Sequence, residues 1–235
     1  MICYDRTNLE KAYCEAKTYV LNSGFQNEVN WQARISFNDI TESDFLREGA
    51  WVILNSGMRE SVIRKYFQEL TFCFFEWESA QKINESKNFC YETAIDIFNN
   101  DRKISAIIEM SERVCNIGFD KLIECLEKSP IDFLQTFNHI GPVTSYHLAK
   151  NLGLQIAKPD RHLVRLSNVL GFEDVQNLCS MISEDSGDAI PVVDIVLWRF
   201  ATLKHDYLDA FLSYTNYSEF PNSSTCKQSL QVCWV

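Results

Sequence analysis

The sequence predicts an all-α protein, on three observations. Glycine and proline together number thirteen in 235 residues, and all five prolines (130, 142, 159, 191 and 221) lie beyond residue 129, so the chain carries few breakers. Helix-capping signals and 3.6-residue apolar periodicity recur from end to end. Strand alternation is weak everywhere, and its best case, Leu70-Thr71-Phe72-Cys73-Phe74-Phe75, reads equally well as buried helix.

Taken in order, periodicity places a first helix over 8–21. Thr41-Glu42-Ser43-Asp44 reads as an N-cap with an acidic first turn, and Phe45, Leu46, Trp51, Val52 and Ile53 follow before Gly57 stops the run. This predicts a helix over about 42–56, apolar enough to be central. Further helices are predicted over 60–70, 78–86, 90–99, 101–116 and 119–128. Ser129-Pro130 starts another, with proline at the first helical position, where its missing N–H costs nothing. The last four are predicted over 161–170, 174–183, 190–204 and 206–214. No internal repeat is evident, and the polar tail after Tyr214, with Asn222-Ser223-Ser224-Thr225, is expected to be loosely held.

A chain that is 46% hydrophobic and 23% charged has the balance of an ordinary globular protein, which rules out disorder as its main state. No stretch approaches the ~18 to 20 consecutive apolar residues of a membrane helix. The first residues, Met1-Ile2-Cys3-Tyr4-Asp5-Arg6, lack the basic-then-apolar order of a signal peptide, so a cytoplasmic protein is expected. Nine cysteines are scattered without a C-x-x-C pair, which predicts free thiols in a reducing compartment. Cys226 and Cys233 have a spacing that also begins some iron–sulfur loops, yet two further ligands do not follow them, so that tail holds no complete four-cysteine cluster. The net charge of −10 argues, taken alone, against a nucleic-acid partner.

That charge is unevenly spread. Between Asp132 and Glu173 one acid, Asp160, stands against Lys150, Lys158, Arg161 and Arg165, giving a +3 window in a −13 remainder. His139, His147 and His162 lie in the same window. Leu134 and Phe137, a tight turn over Asn138 to Gly141, then Tyr146, Leu148 and Ala149 give a helix, hairpin, helix pattern. Pro142 suits the first position of the second helix, which would leave the amides of Gly141, Val143 and Thr144, and the Thr144 hydroxyl, without intrahelical partners. Such amides form a phosphate site that needs little lysine.

Residues 134–149 resemble the helix-hairpin-helix motif. Their continuation resembles the base-excision DNA glycosylase superfamily, which includes endonuclease III, the adenine glycosylase of mismatch repair and alkyladenine glycosylases. In that family the hairpin is followed by a catalytic aspartate opening the next helix, and here Lys158-Pro159-Asp160-Arg161-His162-Leu163-Val164-Arg165 follows. The run Ala50 to Arg59 is similar to the family helix that ends in a DNA-penetrating loop. Two positions depart from the pattern. His139 replaces the first hairpin glycine, and histidine is among the less unfavourable non-glycine residues in the left-handed region. Val143 stands where bifunctional members carry a lyase lysine and forms no Schiff base, so the resemblance implies a monofunctional enzyme. Lys150 and Lys158 are the alternative amines for lyase chemistry, which borohydride trapping would reveal.

By this resemblance Asp160 is the catalytic residue. His139, Gly141, Val143, Thr144, Arg59 and Arg161 contact DNA, and Asn55 or Met58 is the wedge that replaces an extruded base. Asp194 and Trp198 share one helix face at i, i+4 and suit a base pocket, although Trp198 also reads as core, and Asp194 as a partner of Arg199 or Arg165. Met58 reads equally as core and Arg59 as solvated; Tyr146 and His147 read as packing and surface. The implied architecture is two helical subdomains, 45–155 containing the hairpin and 1–44 with 156–235 carrying Asp160, with DNA in the cleft between them. The implied partner is double-stranded DNA bearing a damaged or modified base, bound by a monomer. The resemblance implies no metal centre and no cofactor, a monovalent cation at the hairpin being the one ion it admits. Three functions compete: a glycosylase releasing a damaged base; an antiphage glycosylase excising a bulky pyrimidine such as glucosylated hydroxymethylcytosine; and a non-catalytic hairpin module that only binds DNA.

Overall fold

The structure, a computed structural model, describes residues 6–215, and every regular element among them is helical. Helix α1 (Arg6–Val20) runs into a π-helical turn at Leu21–Phe25, where Gly24 takes φ 91°, and then into α2 (Gln26–Arg34). The sequence does not announce α2, because Gly24 reads as a stop and only Val29 and Gln32 are buried along it. Helix α3 (Glu42–Asn55) opens on a reciprocal box: Asp44 N donates to Thr41 Oγ1, and Thr41 N donates to the Asp44 carboxylate. Helix α4 (Glu60–Cys73) carries most of the candidate strand at 70–75. What ends it is a left-handed turn at Phe75, Glu76 and Trp77, with φ of 52°, 54° and 63°. Trp77 is buried there, stacked on Phe74 at 4.9 Å, and its Nε1 donates to Thr71 Oγ1.

Four helices follow: α5 (Ala80–Glu85), α6 (Lys87–Ile97), α7 (Asp101–Ile117) and α8 (Phe119–Lys128). Short α9 (Pro130–Leu134) has its proline in the first turn as expected. Then come α10 (Thr144–Asn151), α11 (Arg161–Leu170), α12 (Val175–Ser186), α13 (Ile190–Leu203) and α14 (Tyr207–Tyr214). The cysteine-containing tail lies outside the described residues, among which Cys14, Cys73, Cys90, Cys115, Cys125 and Cys179 are free. No helix of the described residues is long and apolar enough to cross a membrane.

The apolar side chains segregate into two cores. The first is built by α3 to α10 and includes Phe45, Ile53, Leu70, Trp77, Ile104, Leu122 and Leu148. Helix α3 is central to it, since Phe45, Leu46, Ala50, Val52, Ile53 and Leu54 are all fully buried. The second joins Leu9, Tyr13 and Val29 to Leu163, Leu178, Val196 and Phe211. The chain therefore passes from the second core to the first after α2 and returns before α11. Gly153, with φ 83°, stands at the return; a Cβ there would lie 2.7 Å from the Phe37 amide nitrogen, so only glycine permits this backbone contact.

Polar groups join the two cores. Lys150 Nζ at the end of α10 pairs with Asp194 Oδ1 of α13 at 2.9 Å, and both side chains are almost fully buried. Gln32 of α2 donates to the Lys150 carbonyl, and within the first core the neighbouring Asn151 donates to the buried Glu48 of α3. Arg199 of α13 holds Glu28 of α2 through two bonds of 2.6 and 2.7 Å and approaches Glu60 of α4 at 3.8 Å.

Candidate active site

Asp160 is the N-cap of α11. Its Oδ1 accepts from the His162 amide at 2.9 Å, and Oδ2 makes no hydrogen bond among the described residues. The carboxylate thus sits half-buried in the field of a helix N-terminus with one oxygen left for another partner. The loop that delivers it is tied down twice: Ala157 N donates to Gln176 Oε1, and Lys158 N donates to Asp194 Oδ2 at 2.7 Å. Arg161 is exposed, its Nε donating to His162 Nε2 at 3.3 Å.

Asp194 is buried, and each of its carboxylate oxygens has a partner. Lys150 occupies one oxygen and the Lys158 amide the other, and neither Arg199 nor Arg165 is its partner. Trp198 is half-buried against the second core, with the Arg199 guanidinium over its ring at 4.5 Å.

The turn between α9 and α10 departs from expectation at its second helix. Helix α10 begins at Thr144, two residues beyond Pro142, with Val143 at the N-cap. The Gly141 amide is not free either, since it donates to Thr144 Oγ1 at 2.6 Å. The amides of Val143 and Thr144 make no backbone hydrogen bond among the described residues and remain as donors. His139 does adopt the left-handed conformation, at φ 62°, and is exposed. A carbonyl cage for a monovalent cation is poorly served here, because Gly141 O already accepts from the Ser145 amide at 2.9 Å and faces the Thr144 hydroxyl at 3.3 Å. Among the described residues no group of three or more His, Cys, Asp or Glu side chains is placed to hold a metal ion.

The α3–α4 loop lies beside this turn. Ser56 and the run from His139 to Thr144 line one shallow groove of about 480 Å³, and a second groove of about 420 Å³ continues from His139 and Asn138 towards Arg102 and Glu109 of α7. Asp160 lines neither. Met58 is exposed at the loop tip after Gly57 (φ 67°), which removes the reading of Met58 as core. Arg59 is exposed as well, whereas Asn55 folds back, its Nδ2 donating to the Trp51 carbonyl. The loop is held from beneath by Lys103 of α7, whose buried Nζ donates to the carbonyls of Leu54 and Ser56.

Two residues of the +3 window have their basicity set by burial. His147 of α10 is half-buried rather than a surface residue, and burial, with Lys158 and Lys150 close by, holds its imidazole well below the ordinary histidine range and hence neutral. Lys158 is also lowered, by burial and by Lys150, although Asp160, Asp194 and Glu60 act in the opposite sense. The sequence signal for the buried setting of His147 was the concentration of bases and histidines in the +3 window. Comparison with protein-family models, with curated proteins and with solved structures returned no match.

Proposed function

We propose that the protein is a DNA N-glycosylase that extrudes a damaged or modified base from a duplex, hydrolyses its N-glycosidic bond and leaves an abasic site. The observation that carries this reading is Asp160: a helix-capping carboxylate, held in place by a doubly anchored loop, with one oxygen uncommitted. When the C1′–N bond breaks, its electron pair leaves with the base and positive charge develops on the deoxyribose. A fixed carboxylate oriented before the reaction stabilises that charge and can align the water that captures it. The exposed turn at His139 to Thr144 is read as the phosphate contact, through the free amides of Val143 and Thr144. Met58 is read as the wedge and Arg59 as a phosphate contact beside it, with Asn55 a structural end to α3. Val143 supplies no amine, so the turn itself performs no lyase chemistry.

A panel of modified duplexes, with mass analysis of freed bases, tests the reading and names the substrate. Phage DNA carrying glucosylated hydroxymethylcytosine belongs in the panel beside alkylated and oxidised duplexes. Asp160→Asn is expected to keep DNA binding and to abolish release, by roughly the 10²-fold or more that one preorganised electrostatic group contributes. Release undiminished in that variant would sink the assignment, and binding indifferent to every lesion with no abasic product would leave a DNA-binding module.

A further inference from the structure

The turn that ends α4 leaves aromatic surface in solvent. Phe75, Glu76 and Trp77 all take left-handed φ values, of 52°, 54° and 63°, which side chains other than glycine seldom adopt. Trp77 enters the first core, whereas Phe75 stays half-buried with its ring stacked on Phe89 of α6 at 6.0 Å. Phe89 is 54% exposed, and Phe72, three residues before Phe75, is 57% exposed; they are the most exposed large apolar side chains among the described residues. Apolar surface gathered in one place, unlike single scattered residues, marks an interaction site. The charges around these rings define what it would receive. Glu69 lies one turn before Phe72 on α4, Glu76 follows Phe75, and Glu92 and Asp96 continue the Phe89 face of α6. All four are exposed, and their carboxylates have no ion-pair partner among the described residues. Of the nearby bases, Lys65 of α4 is unpaired, while Lys82 is paired with Glu78 and Lys87 with Glu112. Lys82 Nζ also stands 5.1 Å from the Phe75 ring centre, so this aromatic surface already receives an ammonium group.

We propose that Phe72, Phe75 and Phe89 form a docking surface for a basic segment of a partner protein. An apolar side chain of that segment packs on the rings, and flanking Lys or Arg side chains meet Glu69, Glu76, Glu92 and Asp96. The charge pattern selects this occupant over a second copy of the chain, because two such faces set against each other would bring unpaired carboxylates together. The surface lies at the far end of α4 from the loop that carries Met58, with Phe72 about 18 Å along the helix from Glu60. Docking there is independent of what Asp160 does.

The test uses the full chain and three fluorescent peptides of about twelve residues, alternating Leu with Lys, Leu with Glu, and Ser with Lys. Fluorescence anisotropy is expected to show saturable binding of the Leu–Lys peptide that weakens as salt rises, with the other two at least about tenfold weaker. Hydrogen exchange should place the protection at the ends of α4 and α6 that carry Phe72 and Phe89. Phe72→Ser with Phe89→Ser, and separately Glu69→Gln with Glu92→Gln, should each weaken binding at least about fivefold. All four positions are exposed, so the melting transition of both variants should match that of the wild type. No binding of the Leu–Lys peptide, equal binding of the Leu–Glu or Ser–Lys peptide, protection elsewhere, or undiminished binding in either variant would overturn the proposal. Sedimentation showing a wild-type dimer that is lost in Phe72→Ser with Phe89→Ser would also overturn it, by giving the surface to a second copy. Peptide selectivity and protection are read on the wild-type chain and do not depend on how the variants fold.

Discussion

Asp160 and Asp194 are both acids near helix starts, yet their oxygens are left with different work. Asp160 spends one oxygen on its own helix and keeps the other, whereas Asp194 spends both on Lys150 and on the loop that carries Asp160. Asp194 therefore acts by positioning. Asp194→Asn strands a buried ammonium, and we expect a loss of about 3–5 kcal/mol in chemical denaturation. Replacing both partners, in Lys150→Met with Asp194→Leu, should recover much of it, because the uncompensated charge is then gone. An unchanged midpoint in Asp194→Asn would contradict the buried pair. The sequence places Asp194 and Trp198 on one face by helical spacing, but no spacing rule could pair Asp194 with Lys150 on a different element. The N-cap role of Asp160 was legible, since Pro159 before it and an apolar-periodic run after it are local signals.

At the scale of elements, α3 and its loop depend on a residue from α7. The last carbonyls of a helix lack intrahelical donors, and Lys103 supplies them at Leu54 and Ser56. Burial lowers the basicity of Lys103, so the two carbonyls are what repay the cost of keeping the ammonium there. Lys103→Met should cost about 1–3 kcal/mol in thermal or denaturant unfolding and loosen the loop that presents Met58, seen as faster amide exchange at residues 55–59. Exchange unaltered there would remove the capping role. Most helix starts were readable because caps and prolines act within a few residues. The start of α10 was misread: Pro142 could open a helix, but Thr144 Oγ1 takes the Gly141 amide and the helix begins two residues later. Helix α2 was missed because a helix with so little buried surface leaves almost no apolar period.

At the scale of the molecule, two cores meet through charged and polar groups, and this makes stability pH-dependent. His147 and His162 both have basicity lowered by burial, so the unfolded chain binds protons there more readily than the folded one. Their contribution is present above the ordinary histidine value of 6.5 and is lost as the pH falls below it towards the depressed folded values. The unfolding free energy should decline between about pH 7 and 5, and more shallowly in His147→Gln; equal slopes would show that His147 is not held neutral. On the proposed glycosylase reading, with phosphates met mainly by amides and few bases, DNA affinity should depend weakly on salt; a slope as steep as that of a protein neutralising ~6 to 10 phosphates would contradict this.

By itself the sequence determined the helical class, most helix boundaries and the capping position of Asp160, because periodicity and capping operate over a few residues. Only the tertiary structure decided which buried charges meet, namely Lys150 with Asp194 and Lys103 with the α3 carbonyls, and that Lys158 and His147 are half-buried close to one another. Those outcomes depend on how helices far apart in the chain pack. Desolvation, which sets the charge state of His147 and Lys158, exists only once that packing is in place.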